Sequence, residues 1–231
     1  MEISKRLEIV AKMVTKGNVV ADIGTDHGYV PIYLVKELGC PHVIAMDVAK
    51  GPLSKARENI AAHCVSDKIE TRLSNGLSKL AEYEADTVII AGMGGQLIMN
   101  ILQEGKKVLE TVEEIILSPQ TEIAKVRHFL AENGYIIHEE KMFKDDGKTY
   151  VVFKLKHGKP EKISELFARY GKKLLENRNE ELLTCLLKEK EVSENLICQL
   201  KKAQGGNTAE RIKQLQQDLV LIEEGLKYYD M

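Results

Sequence analysis

The chain has 231 residues, 44% of them apolar and 29% charged, with a net charge of −2 at neutral pH. That balance fits a globular protein with one sizeable domain plus an appendage, or two small domains. It excludes a membrane-spanning helix, because no uninterrupted apolar run approaches the roughly 18 residues required, and it carries no global basic signature for nucleic acid.

The N-terminal stretch MEISKRLEIVAKMV intersperses charges and lacks a signal-peptide core, so a cytoplasmic protein is expected. Cys40, Cys64, Cys185 and Cys198 have no CxxC pair and no metal-ligand spacing, which reads as four reduced thiols and no metal site.

Ser4 to Val14 places Leu7, Ile9, Val10 and Met13 near helical spacing, with Ser4 as the N-cap. Val19 to Ile23 is a short β-branched run of the kind buried on both faces of a sheet. Pro31 to Leu38 reads as a helix, Val43 to Met46 as a strand, Pro52 to His63 as a helix and Ile69 to Leu73 as a strand. Asp86 to Ala91 is a further strand, Gln96 to Leu109 a helix, Glu114 to Leu117 a strand and Ile123 to Asn133 a helix. Tyr135 to Met142 and Thr149 to Leu155 form a hairpin around Asp145-Asp146-Gly147. Such alternation predicts an α/β fold: a seven-stranded, mostly parallel sheet with one antiparallel strand and helices on both faces.

Strand signals stop after Pro160. Ile212, Leu215, Leu219, Ile222, Leu226 and Tyr229 recur in heptad steps, and Leu175, Leu182, Leu186, Leu196 and Leu200 fit the same repeat. With Gln204-Gly205-Gly206-Asn207 between them, the two stretches predict an antiparallel coiled-coil hairpin over residues 161–231, behind a domain of residues 1–160. Residues 154 to 178 hold eight basic side chains against three acidic ones. That surplus fits either an electrostatic footprint for RNA or a solvated helix face.

The chemistry lies at the strand ends. The loop Asp22-Ile23-Gly24-Thr25-Asp26-His27-Gly28 follows the first strand, where open α/β sheets bind ligands. Its glycines have the compact G-x-G-x-G spacing of S-adenosylmethionine enzymes, with Asp26 in the middle position, and not the longer dinucleotide spacing. A carboxylate there would repel a pyrophosphate and attract a cofactor carrying sulfonium and ammonium groups. Asp47, 19 residues after Gly28, ends the second strand, where a carboxylate can accept both ribose hydroxyls. Asn75-Gly76 is placed to meet an adenine edge. Ala91-Gly92-Met93-Gly94-Gly95 would border the transferred methyl. It lacks the Asn/Asp/Ser-Pro-Pro-aromatic motif that holds exocyclic amines, which turns attention to a ring nitrogen such as adenine N1. That product is a cation, and Asp26 is the candidate catalytic residue to stabilise it or take up a proton.

These segments resemble the bacterial TrmK family: Asp-Ile-Gly-Thr-Asp-His-Gly-Tyr-Val-Pro (22 to 31), Asp47, Asn75-Gly76 and Ala-Gly-Met-Gly-Gly (91 to 95), followed by a helical hairpin. One departure is Leu-Ser-Pro-Gln (117 to 120), where the family has Gln-Pro-Asn. The resemblance implies a class I S-adenosylmethionine methyltransferase domain with a C-terminal coiled coil, acting on N1 of adenine 22 in tRNA. It further implies that Asp22, Gly24, Thr25, His27, Gly28, Asp47, Val48, Asn75, Gly76, Ala91 and Gly92 bind the cofactor. Tyr29, Met93 and Gly94 would meet the flipped base, and Lys162, Arg169, Lys172 and Lys173 the tRNA backbone. The implied assembly is a monomer or weak dimer. Competing readings are a methyltransferase for a small molecule or protein, and an interaction protein working through the coiled coil.

Overall fold

The computed structural model describes residues 3–202 and 208–230. The expected glycine turn at 204–207 lies outside them. Two compact units divide the chain at Lys162 and Ile163.

The first unit alternates as predicted: α1 (Lys5–Lys12), β1 (Val20–Ile23), α2 (Tyr29–Glu37), β2 (Val43–Asp47), α3 (Lys50–Ala62), β3 (Ile69–Leu73), β4 (Thr87–Met93), α4 (Gly95–Glu104), α5 (Lys106–Leu109), β5 (Glu114–Pro119), α6 (Ile123–Glu132), β6 (Tyr135–Asp145) and β7 (Lys148–His157). The strand order is β3-β2-β1-β4-β5-β7-β6. β7 alone runs antiparallel to its neighbours β5 and β6. Strand residues alternate between two cores. Ala21, Ile23, Ile44, Met46, Val88 and Ile90 enter one, and Val20, Val43, Ala45, Ile89, Ile116 and Val152 the other. Burial on both faces is what keeps these strands continuously apolar.

Ser4 caps α1, its Oγ accepting from Leu7 N–H. Two elements differ from expectation. The single helix expected over 96–109 breaks at Gly105, where Leu77 occupies the space a Cβ would need. The fourth strand runs on to Met93 through a bulge at Gly92, whose φ of +79° suits glycine. The loop expected to border the methyl therefore begins inside the sheet.

Lys154, counted above in the basic stretch, is a buried structural cation. Its Nζ lies 2.8 Å from Glu114 Oε2 and donates to Met13 O and Thr15 Oγ1. Glu114 also accepts from Thr15 and Thr87. Burial alone would raise the Glu114 carboxyl, but Lys154 and Thr15 outweigh it and hold it below the usual range. Glu114 and Thr87 open their strands, so this network ties the sheet together at the end away from the ligand loops.

The second unit holds α7 (Glu165–Tyr170), α8 (Lys172–Glu176), α9 (Glu180–Lys202) and α10 (Thr208–Leu226). The short α7 and α8, separated by Gly171 at φ +86°, were not expected. Lys190 meets Glu223, Leu186 packs at Gly225 and Tyr229 Oη donates to Asn179 O. The start of α9 thus faces the end of α10, an antiparallel pair. Along α9 the buried positions are Leu182, Leu186, Ser193 and Ile197. Leu196, a predicted seam residue, is exposed instead. A strict seven-residue repeat drifts around a 3.6-residue helix, and here the seam moves to the next residue.

Candidate active site

The site is assembled from the carboxyl ends of β1, β2, β3 and β4. β1 delivers Asp22, one residue before the strand ends, and the chain then turns sharply. The N–H groups of Gly24 and Thr25 both donate to Met46 O, which ties the loop to the end of β2. Gly24, Asp26 and Gly28 all have positive φ, at +77°, +52° and +75°. Asp26 thus occupies a left-handed position usually given to glycine, one that aspartate tolerates better than most residues. Gly28 starts α2, and a Cβ there would stand 3.2 Å from that of Ala56, so glycine permits the close approach of α2 to α3.

Asp47 organises the centre. Its Oδ2 accepts from Asp26 N–H at 3.1 Å and its Oδ1 from Ala49 N–H at 2.8 Å. The carboxylate therefore joins the β1 and β2 loops and stays exposed enough to accept further donors. Val48 is 68% exposed beside it, an apolar surface suited to one face of a base. After β3, Ser74 Oγ donates to Gly76 O, and Ser74 N–H donates to Asp47 O. This presents Asn75 at the surface. Ser74, buried and holding the turn, was not predicted.

Two carboxylates, Asp22 and Asp47, are close enough to interact here, with Asp26 at the crest of the same loop. Asp22 is buried, and burial, with the charge of Asp47, pushes its pKa up to about 7. The Thr25 hydroxyl beside it opposes part of that rise, and His27 Nδ1 is buried without a hydrogen-bond partner. An unpartnered buried ring nitrogen and a carboxylate forced toward neutrality are the marks of a site shaped for a ligand. S-adenosylmethionine fits this donor set: its cationic groups would face the carboxylates, and its own carboxylate the free N–H groups that begin α2.

Asp22 carries a pH prediction. Its pKa rises from 3.8 unfolded to about 7 folded. Below 3.8 the acid is neutral in both states. Above it the unfolded chain ionises first, so stability falls as pH rises to 7 and then levels. Asp22→Asn therefore stabilises the ligand-free protein by a margin that grows over this window to about 4 kcal/mol at most. Melting temperatures of the two proteins from pH 4 to pH 8 test this. A constant difference across the range would refute it. If Asp22 holds the cofactor's ammonium, the same variant should weaken cofactor binding, because a neutral amide offers no charge to pair with it.

Asp26 is exposed at the loop crest, with its Oδ1 3.6 Å from His27 Nε2. Asn59 Nδ2 donates to His27 O and steadies the loop from α3. The Tyr29 ring lies 5.9 Å from that of His27 and is 41% exposed. On the β4 side, the Met93 side chain occupies the space a Cβ at Gly24 would need, so the first and fourth loops touch. Thr121 Oγ1 accepts from Gly95 N–H at 3.2 Å, and Gln120 N–H donates to Met93 O at 2.9 Å. The β5 loop with its Ser-Pro-Gln sequence thus buttresses Ala91 to Gly95.

The cations expected to meet a nucleic-acid backbone divide. Arg169 is engaged within the second unit, with Nη1 at 2.6 Å from Asp218 and Nη2 at 3.3 Å from Glu189. Lys173 pairs with Glu176 at 3.1 Å, and Lys172 reaches the same carboxylate at 4.0 Å. Lys162 and Lys172 are exposed. Among the described residues no three metal-binding side chains cluster, and no helix is long and apolar enough to cross a membrane.

The methyltransferase-domain family Methyltransf_18 matches residues 3–153. The tRNA (adenine(22)-N(1))-methyltransferase of Bacillus subtilis is 37% identical over 66% of this chain and 64% of its own length, so this chain spans just under two thirds of that relative in the alignment. The crystal structure of the B. subtilis m1A22 tRNA methyltransferase TrmK superposes with a TM-score of 0.84 at 29% identity, covering 97% of this chain and 99% of that one. A Streptococcus pneumoniae protein in complex with S-adenosyl-L-methionine gives 0.84 at 34% identity, covering 97% and 100%.

Proposed function

This chain belongs to the TrmK family of S-adenosylmethionine-dependent methyltransferases, and from that premise we propose that it methylates N1 of adenine 22 in tRNA in the cytoplasm. The observation that carries the cofactor assignment is the convergence of Asp22, Asp26 and Asp47 on one glycine loop. Pyrophosphate would add to that negative charge, whereas a sulfonium and an ammonium balance it.

The cofactor supplies an electrophilic methyl group when bound. Asp47 accepts the ribose hydroxyls, Val48 and Asn75 flank its adenine, and Asp22, Thr25 and the start of α2 hold its amino-acid end. Ala91 and Gly92 border the cofactor, Met93 and Gly94 the target base, and Tyr29 offers an exposed ring to stack on that base. The N1 lone pair needs no prior deprotonation, and the product carries a positive charge. Asp26 stands on the exposed side of the loop, where its carboxylate stabilises that developing charge. Lys162 and Lys172 add positive charge for the tRNA backbone.

The test is to incubate the protein with unmodified tRNA and labelled cofactor and map the methyl group. It should appear on N1 of adenine 22. Labelling of an exocyclic nitrogen, or of no nucleotide, would reject the assignment.

A further inference from the structure

Arginine side chains in this protein that are wholly or partly withdrawn from water are matched with carboxylates, with one exception. Arg72 pairs with Glu70 and Glu84, Arg127 with Glu140, and Arg169 with Asp218 and Glu189. Arg6, half-buried on α1, has no carboxylate on its guanidinium among the described residues. A partly desolvated cation without a counter-charge is free to pair with an anion from outside.

The surroundings hold this cation in place. Asp145 Oδ2 accepts from the Arg6 backbone N–H at 2.9 Å, and Lys5 Nζ donates to Lys144 O at 3.1 Å. The start of α1 is thereby fastened to the tip of the β6–β7 hairpin. The Arg6 guanidinium lies 5.5 Å from the Tyr150 ring centre, and Lys5 Nζ lies 5.9 Å from that of Phe143. Those two rings stack on each other at 6.1 Å. The result is a pair of cations mounted on a pair of aromatic rings.

The guanidinium is aimed at the reaction side. Arg6 Nη1 lies 3.3 Å from where a Cβ of Gly92 would stand, with Gln120 Nε2 at 3.8 Å. Gly92 belongs to the β4 loop that borders the transferred methyl. A side chain at Gly92 would crowd the guanidinium here. A cation facing N1 itself would oppose the positive charge that forms there on methylation. The group it suits is an anion beside the base.

We propose that Arg6 is the positioning residue that grips a phosphate flanking the flipped adenosine and so sets the base at the β4 loop. This rests on the tRNA reading above. An arginine reads phosphate in two-pronged fashion and adds one ionic contact to the salt dependence of tRNA binding.

Steady-state kinetics on unmodified tRNA test the assignment. Arg6→Gln should raise the KM for tRNA about tenfold to a hundredfold and leave kcat and cofactor affinity near the wild-type values. The slope of log KM against log salt should fall by about one. Arg6→Lys should keep the slope and recover part of the affinity. A tRNA with a neutral methylphosphonate on one side of adenosine 22 should impair the wild type by the same factor and Arg6→Gln no further. Wild-type protein that leaves adenine 22 unmodified overturns the functional reading itself. Active wild type with an unchanged KM and salt slope in Arg6→Gln overturns the Arg6 assignment alone. So does a lowered melting temperature in both variants combined with fully additive methylphosphonate losses, which would mark Arg6 as structural only.

Discussion

Asp47→Ala should weaken S-adenosylmethionine binding by at least a hundredfold. The carboxylate holds the Asp26 N–H at 3.1 Å and the Ala49 N–H at 2.8 Å, which sets the relative position of two loops. In the proposed site it also offers the ribose its acceptor oxygens. Hydrogen bonds to a charged partner contribute about 1.5–3 kcal/mol each, so losing two removes about 3–6 kcal/mol. That corresponds to roughly a hundredfold to ten-thousandfold in affinity. Titration calorimetry reads the change directly. Asp47→Asn keeps one acceptor oxygen and should recover only part of the loss. Affinity within threefold of wild type in Asp47→Ala would show that the ribose is held elsewhere.

The second large effect is on turnover. Asp26→Asn should lower kcat by about a hundredfold to ten-thousandfold, the range for loss of a positioned acid–base or charge-stabilising group. Asparagine is the informative replacement because it tolerates the left-handed φ of +52°. The backbone N–H that binds Asp47 is also kept, so cofactor affinity should change less than tenfold. Single-turnover methylation at saturating cofactor separates the two quantities. If affinity collapses while the single-turnover rate survives, Asp26 is a cofactor ligand without a catalytic role.

Much of this protein is visible in local sequence pattern. The largely apolar runs at 20–23, 43–46 and 87–90 are buried, and such runs show which segments form the interior of a parallel sheet. Gly24 and Gly28, which frame the cofactor loop, each adopt a positive φ. Asp26, in the place the pattern gives to glycine, adopts the same left-handed backbone in the structure.

Other features depend on residues far apart in the chain. Lys154 looked like one of several surface cations, yet the β5–β7 pairing sets it on Glu114 at 2.8 Å. Arg169, expected to meet a nucleic-acid backbone, is brought by helix packing in the second unit onto Asp218 and Glu189. Ser74 and Arg6 carry no motif. Ser74 holds the turn after β3, and the Arg6 guanidinium is brought beside Gly92, 86 residues later in the chain, only by the fold. The sequence by itself determined the order of the elements, the backbone turns that open the cofactor loop and the acidic residues around it, because periodicity and φ preference act over a few neighbouring residues. Tertiary structure decided which charges are neutralised inside the fold, because pairing depends on strand order, register and helix packing that bring distant side chains within a few ångströms.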